Sequence, residues 1–224
     1  MKNLLTIIFA LFLSTSALAE VSTSVAVTSD YVWRGQTQTD HGVAVQGTLD
    51  YSWKFLTVGT WLSNVTSGSG NTEIDLYVSA KHEFSKNFSA SFGITNYTYK
   101  NLPTNNTMEY ALTLESKIAN LFIGYTDDYF AADSSSVYYQ LTRSFSISKK
   151  DNLGLSLALG MTTFDSEVKV GSTDYLDYKV GITKSVNNFE YEFFYTDTNR
   201  KDKTATTETE TKDSSFGVSL AIAI

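Results

Sequence analysis

The chain has 224 residues, a formal net charge of −7 and no cysteine, so neither a disulfide framework nor a thiolate metal site is available to it. The acidic balance and the absence of any basic patch argue against nucleic acid or an anionic membrane surface as partner. With 14 Tyr, 14 Phe, 3 Trp and a single proline, Pro103, the composition is that of strands, which favour aromatics and Thr.

The first residues read MKNLLTIIFALFLSTSALAE. Lys2, an apolar stretch from Leu4 to Leu13 broken only by Thr6, and Ala17-Leu18-Ala19 make a secretory signal peptide over 1–19, cut after Ala19. The apolar core falls short of the roughly 20 residues of a membrane helix. The mature chain then starts at Glu20 with a net charge of −8, since Lys2 leaves with the signal. After the signal there is no helical periodicity beyond about two turns and no second apolar segment of membrane-helix length. Residues 20–224 read as one all-β domain.

Alternation predicts about twelve strands, over 21–34, 42–52, 55–63, 72–84, 87–99, 107–117, 120–128, 135–147, 152–163, 173–185, 188–198 and 213–224. Many exceed the five or six residues usual in globular strands and match the roughly 9 to 11 that a tilted membrane strand needs. Long polar breaks follow the odd strands and short ones the even strands, which is the asymmetry of an outer-membrane barrel with long loops outside. The sequence therefore predicts an up-and-down antiparallel transmembrane β-barrel. TVGTW, SFGIT, FIGYT and LALGMT recur on strands three, five, seven and nine around Gly59, Gly93, Gly124 and Gly160. Such repetition by itself fits a propeller as well as a barrel.

The distribution of residues between faces favours the barrel. Strand nine sets Leu153, Leu155, Leu157, Leu159 and Met161 against Gly154, Ser156, Ala158, Gly160 and Thr162; strand four sets Ile74, Leu76 and Val78 against Glu73, Asp75 and Tyr77. A soluble sandwich would bury the apolar face, and alternation alone leaves that open. Aromatics add two expected girdles at the bilayer interfaces. The outer girdle comprises Tyr31, Trp33, Trp61, Tyr97, Tyr99, Tyr125, Tyr129, Tyr175 and Tyr195; the inner one Tyr51, Trp53, Phe84, Phe88, Phe145 and Phe189. Arg143 shares the apolar phase of VYYQLTRSFSI, which calls for a bulge nearby or a position low enough to snorkel.

The stretch DYVWRGQTQTDHGVAVQGTLDYS, followed by VGTWLSNV, resembles the TorF-type porins of proteobacteria. Asp30, Tyr31, Arg34, Gly35, Gln38, Gln46, Gly47, Asp50, Tyr51, Trp61, Ser63 and Asn64 carry the resemblance, which is confined to the first two hairpins. It implies a Gram-negative outer-membrane barrel, inserted by the barrel assembly machinery and surrounded by outer-membrane lipid. The chain departs from the family at Val43, where proline is common, and at Ile224, where outer-membrane proteins commonly end in an aromatic; the closing FGVSLAIAI keeps Gly217 of an assembly signal.

For function, the polar face offers Asp30, Asp50, Glu73, Asp75, Glu109, Asp128 and Asp177 against Arg34 and Lys179 as lumen or constriction residues. An acidic lumen would pass small polar solutes with a cation preference; a salt-bridged plug is the alternative. Arg34, expected at the outer end of strand one where Gly35 turns the chain, is either a constriction charge paired with Asp30 or Asp50, or an ion pair that only holds loop one. Of the two histidines, His82 falls in apolar phase. His41 beside Asp40 in loop one is the one pair a surface hydrolase could use. Neither GxSxG nor HExxH occurs. No catalytic, cofactor-binding or metal site is expected, and a closed structural or surface-binding barrel is the second reading.

Overall fold

The computed structural model describes residues 19–66, 72–101, 105–211 and 213–224; residues 1–18 of the expected signal peptide lie outside them. Sixteen strands follow in chain order: β1 (Glu20–Thr28), β2 (Val32–Trp33), β3 (Gln36–Thr37), β4 (Ala44–Trp53), β5 (Leu56–Ser63), β6 (Glu73–Ser85), β7 (Phe88–Tyr99), β8 (Thr107–Ser116), β9 (Asn120–Thr126), β10 (Ser136–Ser148), β11 (Leu153–Phe164), β12 (Tyr175–Val186), β13 (Phe189–Thr198), β14 (Lys201–Lys203), β15 (Glu208–Glu210) and β16 (Ser215–Ala223). Twelve of them close a barrel in the order β1-β16-β13-β12-β11-β10-β9-β8-β7-β6-β5-β4, with β4 returning to β1 and every pair antiparallel. The pairs β2-β3 and β14-β15 are small hairpins inside loops one and six. A short α-helix, α1 (Glu167–Val170), stands in loop five.

The two faces are inverted relative to a soluble protein. Along β6, Ile74 and Leu76 are 38% and 58% exposed while Glu73 and Asp75 are 2% and 6% exposed. On β11, Leu157, Leu159 and Met161 are exposed and Thr162 is fully buried. An apolar outer wall around a polar interior excludes the soluble sandwich and requires hydrocarbon outside, where closure also leaves no unpaired strand edge. Leu159 lies mid-strand opposite Leu141 and Tyr178. Leu159→Arg is therefore expected to destabilise the barrel by about 2 to 4 kcal/mol, the cost of a charge at the bilayer midplane. Ala158→Arg, one residue along on the lumen side, should cost much less in a urea titration in lipid vesicles.

Lumen glycines make room for long side chains from neighbouring strands. A Cβ at Gly160 would lie 2.2 Å from Asp177 Oδ2, and one at Gly59 would lie 2.6 Å from the Tyr77 ring. Of the recurring hairpin glycines, Gly59, Gly124 and Gly160 thus accommodate the lumen's polar and aromatic contents, while Gly93 meets only ordinary contacts.

Strand one is the main departure from the sequence reading. It ends at Thr28, and the alternation through Tyr31 and Trp33 belongs to the β2-β3 hairpin of loop one, which turns into the lumen. The outer girdle changes accordingly. Tyr99 and Tyr175 are buried, Trp33 packs against Tyr97, Tyr129 and Phe130, and Trp61 meets Tyr31 edge-on. These rings fill the lumen, whereas Tyr125 and Tyr195 of the expected girdle do stand on the outer wall, joined there by Tyr110, Tyr139, Tyr178 and Phe216. The inner girdle stands on the outer wall as expected, with Tyr51, Trp53, Phe84, Phe88, Phe145 and Phe189 all exposed.

Arg143 resolves by snorkelling. Its guanidinium donates to the Lys117 carbonyl at 2.5 Å, in the turn after β8, and lies 5.0 Å from the Phe145 ring centroid. Because β9 begins at Asn120, opposite Thr142, Arg143 is already level with that turn, whose backbone its head group can reach. A bulge does occur, at Ser146/Ser148, below the arginine.

Candidate functional site

Loop one, residues 29–43, is built by two tight turns. In the first, Arg34 (φ 49) and Gly35 (φ 74) link β2 to β3. Two successive left-handed residues are a type I′ hairpin turn, which matches the twist of the strands it joins. In the second, Asp40 (φ 51) and His41 (φ 58) are spanned by the Gly42 amide donating to the Thr39 carbonyl at 2.8 Å. Asp30 fastens the base: Oδ1 accepts from the Thr37 and Thr39 hydroxyls at 2.6 and 3.2 Å, and Oδ2 lies 3.0 Å from His41 Nδ1. Loop one also pairs with the start of loop two, where the Thr66 amide donates to the Gln38 carbonyl at 2.8 Å.

The hairpin tip crosses to the opposite wall. Arg34 donates to Glu109 on β8, and both side chains are only 5% exposed. Its guanidinium carbon lies 4.1 Å from the Tyr138 ring centroid and 4.2 Å from that of Trp33. Gly35 presses on β12 and β13, where a Cβ would come within 2.7 Å of the Asp177 Cβ. From above, loop four adds Phe130, at φ 48 and ψ 46, with its ring against Trp33, Tyr97, Tyr99 and Tyr129. A bulky aromatic in the left-handed region costs about 1 to 3 kcal/mol, which the surrounding rings must offset.

Two cavities flank this assembly. One of about 300 Å³ lies beneath loop one among Tyr31, Trp61, Gln140, Asp177 and Lys179. The other, of about 570 Å³, lies above it among the outer loops. Glu73 accepts from Tyr99 at 2.9 Å, Asp50 from Tyr77 at 2.5 Å, and Lys179 pairs with Glu192 at 2.6 Å. Glu73 Oε2, Asp75 Oδ1 and Asp177 Oδ2 are buried without a hydrogen-bond partner among the described residues.

The predicted lumen residues therefore divide. Glu73, Asp75, Glu109 and Asp177 gather near the outer end of the lumen, and Asp50 and Lys179 sit on its wall below. Two expectations are corrected. Arg34 pairs with Glu109, not with Asp30 or Asp50, because the strand ends early and the loop carries the arginine across the lumen. Asp128 is exposed in the outer turn, where Oδ1 accepts the Asp133 amide at 2.9 Å, because β9 already ends at Thr126. His41 is partnered by Asp30, not by its neighbour Asp40. The lumen roles of Trp33, Tyr129 and Phe130 escaped the sequence reading, although the bulk of VWRG at a loop start was a signal that the segment is packed.

Half of the motif behind the porin resemblance belongs to this loop and its seat. Asp30, Tyr31, Arg34, Gly35 and Gln38 build it; Trp61 receives it. Asn64 clips loop two to the top of β4, donating to the Val43 carbonyl at 3.0 Å and accepting from the Val45 amide at 2.7 Å. Gly47 has no neighbour closer than ordinary contact, and nothing in the structure explains it.

The family described as "Bacterial protein of unknown function (Gcw_chp)" matches residues 14–222. The chain belongs to that family. The finding does not carry the TorF name. No curated protein matches the chain. Among solved structures, the fold is similar to a KdgM porin at a TM-score of 0.56, with 10% identity over 91% of this chain and 98% of that one. A KdgM porin in complex with disordered oligogalacturonate gives 0.55 and 8% identity over 91% of this chain and 98% of that one. An outer membrane channel from Pseudomonas putida F1 gives 0.48 and 12% identity over 94% of this chain and 97% of that one. The Gcw_chp chain thus has the closed twelve-stranded fold of an outer-membrane barrel.

Proposed function

We propose that this Gcw_chp protein is an outer-membrane channel for small polar solutes, with loop one as its constriction and a preference for cations. The observation that carries the reading is the lumen itself, which is polar and holds cavities above and below a folded loop instead of a continuous packed core. Barrels of eight strands are filled by side chains and those of roughly 16 to 18 leave aqueous channels, so twelve strands suit a lumen narrowed by an inserted loop. Acidic groups outnumber basic ones at the constriction, where Arg34 is taken by Glu109 while Glu73, Asp75 and Asp177 are carboxyl groups that add negative charge to the extent that they ionise. Such a ring favours cations by electrostatics.

Single-channel recording of the purified protein under a salt gradient tests this. Discrete openings with a cation-directed reversal potential support the channel. A folded, heat-modifiable barrel without conductance moves the assignment to a closed structural or binding barrel, a reading favoured by the buried Arg34–Glu109 pair. Glu73→Gln combined with Asp75→Asn is expected to move the reversal potential toward zero, whereas Asp128→Asn, outside the lumen, should leave it in place.

No reaction is assigned. The hydroxyls beside the His41–Asp30 pair, those of Thr37 and Thr39, both donate to Asp30 Oδ1 and hold the loop, and the described residues contain no group of three or more His, Cys, Asp or Glu able to hold a metal.

A further inference from the structure

We infer that the outer cavity is a binding site for a neutral sugar, entered from outside the cell. Five of the six outer loops converge on it: Gln36 comes from loop one, Asn105 from loop three, Phe130 from loop four, Val170 from loop five, and Arg200 and Asp213 from loop six. Ordering that many loops about one space carries a large entropy cost, and concave sites built from loops on a rigid scaffold are where ligands bind. The volume of about 570 Å³ lies within the usual range for small-molecule sites.

The lining selects the ligand class. Trp33, Tyr129 and Phe130 form an aromatic floor, which suits the C–H face of a pyranose ring. Interleaved with it are carboxamides, Gln36 and Asn105 among them, which can donate and accept at once, as vicinal hydroxyls do.

Charge decides between neutral and ionic sugars. The cation on the wall, Arg200, is held by Asp202 at 3.0 Å and by Asp213 at 3.9 Å. The Arg34 guanidinium under the floor is taken by Glu109. Among the described residues of this wall the one cation is already paired, so a uronate would have to compete for Arg200 with two carboxylates.

The floor also joins the site to the constriction, because Trp33 and Gln36 flank Arg34 and Gly35 in the hairpin that crosses the lumen. A sugar seated there would rest on both loop one and Phe130.

The test is a titration of the purified protein, in a sugar-free detergent, with cellobiose, digalacturonate and phenol, followed by saturation-transfer NMR of the ligand. Cellobiose is expected to bind saturably and more tightly than either of the others. Phe130→Ala should weaken it at least about fivefold, the loss of one aromatic anchor, while Trp33→Phe, which keeps an apolar ring face, should weaken it less. The inference is overturned by absent cellobiose saturation, by tighter digalacturonate or phenol binding, or by a Phe130→Ala protein that binds as wild type. Binding is read without a bilayer, so a non-conducting protein that takes cellobiose sinks only the channel. A conducting one that ignores it sinks only the sugar site.

Discussion

In the Arg34→Ala protein, loop one is expected to leave the lumen, raising single-channel conductance while the barrel stays folded. The cause is the charge left behind. Glu109 is 4% exposed and Arg34 is its ion-pair partner, and removing one member of a buried pair costs roughly 3 to 5 kcal/mol. A lumen carboxylate has a way to avoid that cost which a core carboxylate lacks. Once the loop swings out, water reaches Glu109. The destabilisation therefore falls on the seating of loop one and not on the strand ladder, whose backbone bonds remain satisfied. Limited proteolysis should cut the variant within residues 29–43 while its heat-modifiability persists. Arg34→Ala combined with Glu109→Gln removes the stranded charge and should recover part of the protection, the coupling between contacting residues being about 0.5 to 3 kcal/mol. Unchanged conductance and unchanged protease resistance in Arg34→Ala would show that the pair does not hold the loop.

Gly35→Val should produce the same open state with every charge in place. At φ 74 a β-branched residue is strained, and its Cβ would stand 2.7 Å from the Asp177 Cβ and 2.9 Å from the Thr198 Cβ, neither of which is the end of a flexible chain. Backbone strain of about 1 to 3 kcal/mol adds to overpacking of similar size. The hairpin tip then cannot reach β12 and β13, and Arg34 is withdrawn from Glu109 with it. Agreement between the two variants in conductance and cleavage site would identify the seated loop as the constriction. A Gly35→Val protein that conducts and resists protease as wild type does would place the constriction elsewhere.

The strand count, the alternation of long and short connections, and the placement of Leu157, Leu159 and Met161 on one wall were legible because a membrane strand has a two-residue period and fixed length limits. Periodicity is local, so it survives in the bare sequence. The same local signal misled at Tyr31 and Trp33. Their alternation is genuine, but it belongs to a hairpin whose direction depends on Asp30, Thr37 and Thr39 closing the loop and on Glu109, 75 residues later, receiving Arg34. Asp128 failed for a related reason: polar phase continues past Thr126 after the ladder has ended.

The sequence by itself determined a barrel of membrane strands, polar within and apolar without, because each residue's face follows from its neighbours one and two positions away. Only the tertiary structure decided what the lumen contains. Whether an outer loop points to solvent or folds inward depends on ion pairs and ring contacts among residues far apart in the chain, and those form only when closure of the barrel brings the opposite walls together.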